Sequence, residues 1–173
     1  RFTPRHDSAA VDEMLTGYAG YLVLDAHSVY DHLFGPWKAI ESGCWAHARR
    51  YFFKALGSDQ VRAREALAFI KALFKIEREQ ATSPPEIRLA VRQRDSKPIV
   101  DDFFAWCAAQ APVVLDETPI SKAITYATNQ REALRRYYRE RVDPEYARLR
   151  AEVTETTRLK GDIEKAIPTL MVM

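Results

Sequence analysis

Residues 21–24, Tyr-Leu-Val-Leu, form an unbroken apolar run that is entered between Gly17 and Gly20 and left on a carboxylate, Asp25. A strand with one wet face alternates apolar and polar residues. A continuous run instead fits a central strand covered on both faces, as in α/β and mixed sheets. Ligands of such sheets gather beyond the carboxyl ends of the strands, so Asp25 stands where a site belongs. A local reading competes: Asp25 or Ser28 could cap the segment Ser28-Val29-Tyr30-Asp31-His32-Leu33-Phe34 by accepting a backbone N–H. The residues alone leave both readings open.

A second strand is expected over residues 37–42, and Gly43 then leads into a segment of different period. Cys44, His47, Tyr51 and Ala55 recur at helical spacing, with Arg49, Arg50 and Lys54 between them, which predicts a helix starting near residue 44. Cys44 and His47 share one face of that helix, close to the sheet end that carries Asp25. A C-x-x-H pair can open a zinc site. Such a site needs four ligands, and His6, His27 and His32 supply no matching second pair. The favoured local reading is therefore a buried cysteine and a histidine packed beneath the sheet edge.

Residues 57 to about 141 read as helical throughout. Ala66, Phe69, Leu73 and Ile76 make one apolar stripe, prolines 84 and 85 suit a helix entry, and a further helix starts near Ser121. Ser58 or Asp59 is the expected N-cap at the boundary. Phe69, Phe74, Phe103, Phe104 and Trp106 are expected as core. Arg131, Arg135, Arg136, Arg139 and Arg141 surround Tyr137 and Tyr138, a pattern that either neutralises phosphates or forms a solvated face paired with Glu132 and Glu140. From Asp143 the chain reads as another helix, with Tyr146, Leu149 and Val153 on one face, ended by Pro168.

Composition narrows the class without naming a function. At 173 residues and 47% hydrophobic, the chain can bury a substantial core. A net charge of +2 permits a nucleic-acid partner only through a local basic face. Cys44 and Cys107 suit reduced thiols better than a disulfide framework. With neither a long apolar run nor a signal-peptide pattern, a cytoplasmic protein with no membrane partner is expected.

The segments "GYLVLDAHSVYDHLF" and "GCWAHARRYFFKAL", continued by "IKALFKIERE", "RQRDSKPIVDDFFAWC" and "SKAITYATNQREAL", resemble the IS66 family of bacterial insertion-sequence transposases over roughly residues 1 to 140. The resemblance implies a DDE-type enzyme with a ribonuclease-H-like fold, in which two aspartates and a glutamate hold two Mg²⁺ ions, or Mn²⁺ in their place. Such ions activate an attacking oxygen and stabilise a leaving one in phosphodiester cleavage and strand transfer. Asp25 matches the second aspartate, and Cys44 with His47 matches a C-x-x-H element placed before the glutamate. Asp7 and Asp12 do not occupy the motif of the first aspartate, and no Asp-Asn-Asn-x-x-Glu-Arg stretch follows the helical region.

The resulting expectation is an α/β chain in three parts. Residues 1–56 belong to a partial ribonuclease-H-like core of few strands, 57–142 to a predominantly helical insertion, and 143–173 to a helical tail that does not match the family. Expected partners are DNA at insertion-sequence ends and other transposase chains in a bacterial cytoplasm. Arg49, Arg50, Arg135, Arg136 and Arg139 are the candidate DNA contacts, and Asp25 is the candidate metal ligand. This chain by itself is expected to hold no metal tightly and to cleave nothing. The alternative is a non-catalytic helical module that binds DNA or protein.

Overall fold

In a computed structural model of the chain, the described residues are 8–18, 20–35 and 38–139, with 152, 155, 156 and 158–162 of the tail. Residues up to Arg139 make one compact unit and Glu140–Met173 a second. The first unit opens with helix α1 (Ser8–Leu15), strand β1 (Tyr21–Leu24), a 3-10 segment (Ser28–Leu33) and strand β2 (Ile40–Gly43). Six helices follow: α2 (Trp45–Ala55), α3 (Gln60–Glu79), α4 (Pro85–Val91), α5 (Lys97–Gln110), α6 (Pro119–Asn129) and α7 (Arg131–Arg139).

The strands pair in parallel, Tyr21 opposite Ile40 through Leu24 opposite Gly43. Parallel pairing brings both carboxyl ends to the same side, so Asp25 and Cys44 leave the sheet next to each other. The described residues are thus mostly helical, with a small two-stranded parallel sheet. Strand β1 is not covered on both faces: none of its residues is fully buried, and Val23 is 53% exposed. The reason is that β2 is its only partner strand among the described residues, while everything from Cys44 onward carries helical periodicity. The second strand begins at Ile40, not 37; Trp37 lies outside the described residues.

The core is built by the helices. Phe103 of α5 is its hub, meeting Trp45, Phe52, Phe69 and Phe104 edge-on at centroid separations of 5.3, 5.8, 6.1 and 5.2 Å. Edge-to-face geometry sets the positive rim of one ring against the negative face of another, adding roughly 0.5–1.5 kcal/mol per pair beyond burial. Phe69, Phe74 and Trp106 pack around this cluster half-buried, as expected of core aromatics. Ala48, Ala55, Ala63, Ala66, Ala123 and Ala127 are completely buried, and their small side chains let α2, α3 and α6 approach closely.

Local chemistry sets the helix ends. Asp59 caps α3, its carboxylate accepting from the Arg62 N–H at 3.1 Å and from the Arg62 guanidinium at 2.8 Å. Between α4 and α5 the backbone widens into a π-turn over Arg92–Ser96, where the Lys97 N–H bonds to the Arg92 carbonyl. The cause is Pro98, which has no N–H to give the preceding turn and whose ring crowds it. Inside this turn Arg92, nearly buried, grips Glu77 of α3 through two bonds of 2.7 and 2.5 Å.

In the second unit the described residues 152, 155, 156 and 158–162 are helical, and Arg158 pairs with Glu155 and Asp162 on an exposed face. The expected apolar face of Tyr146, Leu149 and Val153, and Pro168, lie outside the described residues. No helix among the described residues is long and apolar enough to cross a membrane.

Candidate functional site at the strand ends

Asp25 is exposed, and its carboxylate makes no hydrogen bond or ion pair with any described residue. The capping reading is therefore set aside: the 3-10 segment is capped by His27, whose Nδ1 accepts from the Val29 N–H at 3.2 Å. Ala26 turns the chain sharply, with φ at +62°, a left-handed value that costs a residue bearing a Cβ. Strain of this kind persists where the surroundings hold it. The hold comes from α6, because the Tyr126 hydroxyl donates to the Asp25 carbonyl at 3.4 Å.

Around that exit a polar and aromatic cluster forms. Cys44 prolongs β2, its N–H donating to the Leu24 carbonyl at 3.0 Å, and occupies the N-cap position of α2 without a side-chain capping bond. One turn on, His47 lies 5.3 Å from the Tyr126 ring and 5.4 Å from Tyr51, and the two tyrosines stack at 4.5 Å with planes 16° apart. Burial, and then the neighbouring Cys44, Tyr51, Asp25 and Glu41, push the Tyr126 phenol far above its ordinary pKa, so it remains a hydrogen-bond donor at neutral pH. Cys44 is half-buried, as is His47, which rests against the Tyr51 and Tyr126 rings. Val23, Gly43, Cys44, Trp45, Ala46, Phe74, Glu77 and Arg78 line a groove of about 410 Å³.

The expected basic residues separate into two kinds. Arg135 is spent internally, paired with Asp101 at 2.9 Å and laid over the Phe104 ring at 5.3 Å. Arg136 donates to the Glu41 carbonyl at 3.0 Å and so ties α7 to β2. The Arg139 side chain lies outside the described residues. Arg49 and Arg50, by contrast, are exposed on α2 and pair with no carboxylate among the described residues.

As a holder of Mg²⁺ or Mn²⁺ the cluster falls short. Such ions want several hard oxygen ligands; Asp25 offers one carboxylate, and Cys44 and His47 offer softer sulfur and nitrogen. Among the described residues no three His, Cys, Asp or Glu side chains come together as a metal-binding group.

The family model of the IS66 family transposases matches residues 1–145. The chain belongs to the IS66 transposase family. Among curated relatives, uncharacterized protein y4qI of Sinorhizobium fredii (strain NBRC 101917 / NGR234) is 29% identical over 145 residues, which cover 79% of this chain and 27% of the relative. Uncharacterized protein y4hP of the same organism is 33% identical over 130 residues, 65% of this chain and 23% of the relative. The chain thus spans about a quarter of the length of the curated relatives it matches. No solved structure matches the chain.

Tyr126 is the site residue that sequence reasoning missed. It sits 75 positions from Tyr51 and 101 from Asp25, and within α6 it reads as one more half-apolar residue beside Ala123 and Ala127. Only its hydroxyl, an unusual group on a core-facing stripe, hinted at a polar partner.

Proposed function

We propose that this chain is a piece of an IS66-type transposase that engages DNA, with Asp25 as one of the acidic residues of the cleaving site. The reading rests on one observation: in a chain of this family, a carboxylate that is exposed and without hydrogen bond or ion pair among the described residues stands at the carboxyl end of a parallel strand. A carboxylate kept free of internal partners at such a place is available to a ligand. The strand register and the Tyr126 hydroxyl hold its backbone, and the strained Ala26 turn fixes the direction in which the chain leaves. A divalent metal in the whole enzyme would supply activation of the attacking oxygen and charge stabilisation of the leaving one. The remaining carboxylates belong to other parts of the whole enzyme, so no cleavage step is assigned to this chain.

The ribonuclease-H-like character of β1 and β2, and the insertion-like role of α3 to α7, belong to the same proposal. Arg49 and Arg50 are its DNA contacts of choice, whereas Arg135 and Arg136 serve to hold α7 in place. The test is a Mg²⁺ and Mn²⁺ titration of wild type beside Asp25→Ala, with a labelled DNA end as substrate and anisotropy as a parallel reading of binding. The expected result is binding by both proteins, weakening steeply with salt, and cleavage by neither. Wild-type cleavage lost in Asp25→Ala would show that other carboxylates of this chain complete the site. Absence of salt-dependent binding would remove the DNA reading.

A further inference from the structure

Helix α2 contains no aspartate or glutamate. Its outward stripe is Ala46, Arg49, Arg50, Phe53 and Lys54, all exposed and brought to one side by steps of three and four residues. Phe53 is 57% exposed although its neighbour Phe52 is completely buried. The Arg49 guanidinium lies over the Phe53 ring at 5.8 Å, and the Lys54 ammonium over the Tyr51 ring at 6.0 Å. None of the three cations pairs with a carboxylate among the described residues. Through Lys54 over the Tyr51 ring the stripe borders the stacked Tyr51 and Tyr126 rings, and the Tyr126 hydroxyl meets the Asp25 carbonyl at the strand end.

Three cations without a carboxylate partner among the described residues call for a polyanion, and duplex phosphates alone would satisfy them. They do not account for the ring. A phenyl ring more than half exposed among three like charges, with Arg49 over one of its faces, is a poor surface for an apolar protein partner, since charged residues as a class are depleted at the centres of protein interfaces. It suits a flat π-system linked to phosphates on either side, which is an unpaired nucleotide. Inside a duplex every base face is already stacked.

We propose that the outer face of α2 binds an unpaired nucleotide of DNA, with Phe53 stacking on its base and Arg49, Arg50 and Lys54 taking the flanking phosphates. This rests on the DNA reading above and adds a binding site to it. The site favours frayed, overhanging or melted DNA over intact duplex, and delivers it along α2 toward Asp25.

The test uses the whole chain and a 12-nucleotide single strand carrying 2-aminopurine, a base whose fluorescence falls when it stacks, beside a duplex of the same sequence. Wild type is expected to bind the single strand more tightly and to quench the probe. Phe53→Ala is expected to weaken single-strand binding roughly tenfold, abolish the quenching and leave duplex affinity and salt slope unchanged. Phe53→Trp restores the quenching. Arg49→Ala and Arg50→Ala each flatten the salt slope by about one phosphate contact on both substrates. Because these side chains are exposed, folding is unaffected, which the thermal midpoint checks. Wild-type quenching and single-strand affinity in Phe53→Ala would overturn the stacking site while the arginine effects leave the DNA reading intact. Absence of binding to either substrate by wild type would overturn both, and tenfold tighter binding of the matching RNA strand would overturn the assignment to DNA.

Discussion

Gly43 closes β2 against α7, and an added Cβ there would lie 2.8 Å from the Leu134 backbone nitrogen and 2.9 Å from both its Cγ and its Cδ2. The backbone of Gly43 is not left-handed, so Gly43→Ala brings no conformational penalty and its cost is one of packing. The nearest approach is about 0.6 Å short of the 3.4 Å at which ordinary van der Waals contact begins. A side-chain end could rotate away; a backbone nitrogen cannot, and α7 must shift as a body. That shift works against the Trp45 indole N–H donating to the Leu134 carbonyl at 3.0 Å, Arg136 on the Glu41 carbonyl, and Arg135 on Asp101. Overpacking of this sort costs about 1–3 kcal/mol, and the backbone clash puts Gly43→Ala near the upper end. For a chain of this length that lowers the thermal midpoint by roughly 6–12 °C. Circular dichroism melts of wild type and variant, with Trp fluorescence to follow the Trp45 environment, measure it directly. A midpoint within 2 °C of wild type would refute the reasoning, because α7 would then be loose against β2 instead of seated on it.

Three further outcomes are expected. Asp59→Ala removes the α3 cap and costs about 1 kcal/mol at pH 7 by urea unfolding; the Arg62 side-chain bond holds the Asp59 carboxyl below its ordinary pKa, so this contribution is present above about pH 4 and fades as the pH falls through the lowered value, closing the gap between the two proteins. Burial pushes the Cys107 thiol up to about 12, while Cys44 is half-buried, so a thiol reagent at pH 8 modifies a single cysteine in the folded chain and two after denaturation. Glu77→Ala leaves the Arg92 guanidinium, 8% exposed, without that carboxylate, and destabilises the chain by about 3 kcal/mol, the low end for a broken buried pair because Glu77 is itself 21% exposed; a loss under 1 kcal/mol in denaturant titration would show that Arg92 is held by its other contacts.

How much of the chain could be read beforehand follows the range of the forces involved. The Asp59 cap, the proline-led start of α4, the strand at 21–24 and the helix beginning at 45 all depend on neighbours within four residues, and their side-chain chemistry announces them. The buried set of α3, Ala63, Ala66, Ile70 and Leu73, follows from helical period, though Ile70 replaces the expected Phe69 as a fully buried member. Whether β1 is covered on both faces was not readable in this way, because such cover depends on distant segments. Nor was the π-turn, where Pro98 interrupts a stretch whose apolar pattern runs straight through it.

For the candidate site the division is sharper. That a carboxylate follows an apolar strand, and that a C-x-x-H pair begins a basic, acid-free helix, can be read from the residues alone, since both are contiguous patterns. It took the packing of the helices to establish that the Asp25 carboxylate has no hydrogen bond or ion pair among the described residues, that Tyr126 reaches the Asp25 carbonyl from α6, and that Arg135 is consumed by Asp101 while Arg49 and Arg50 stay exposed. Charge and spacing are properties of the chain as a string. Whether a guanidinium meets a carboxylate 34 residues away, or solvent, is settled by how the helices pack around Phe103.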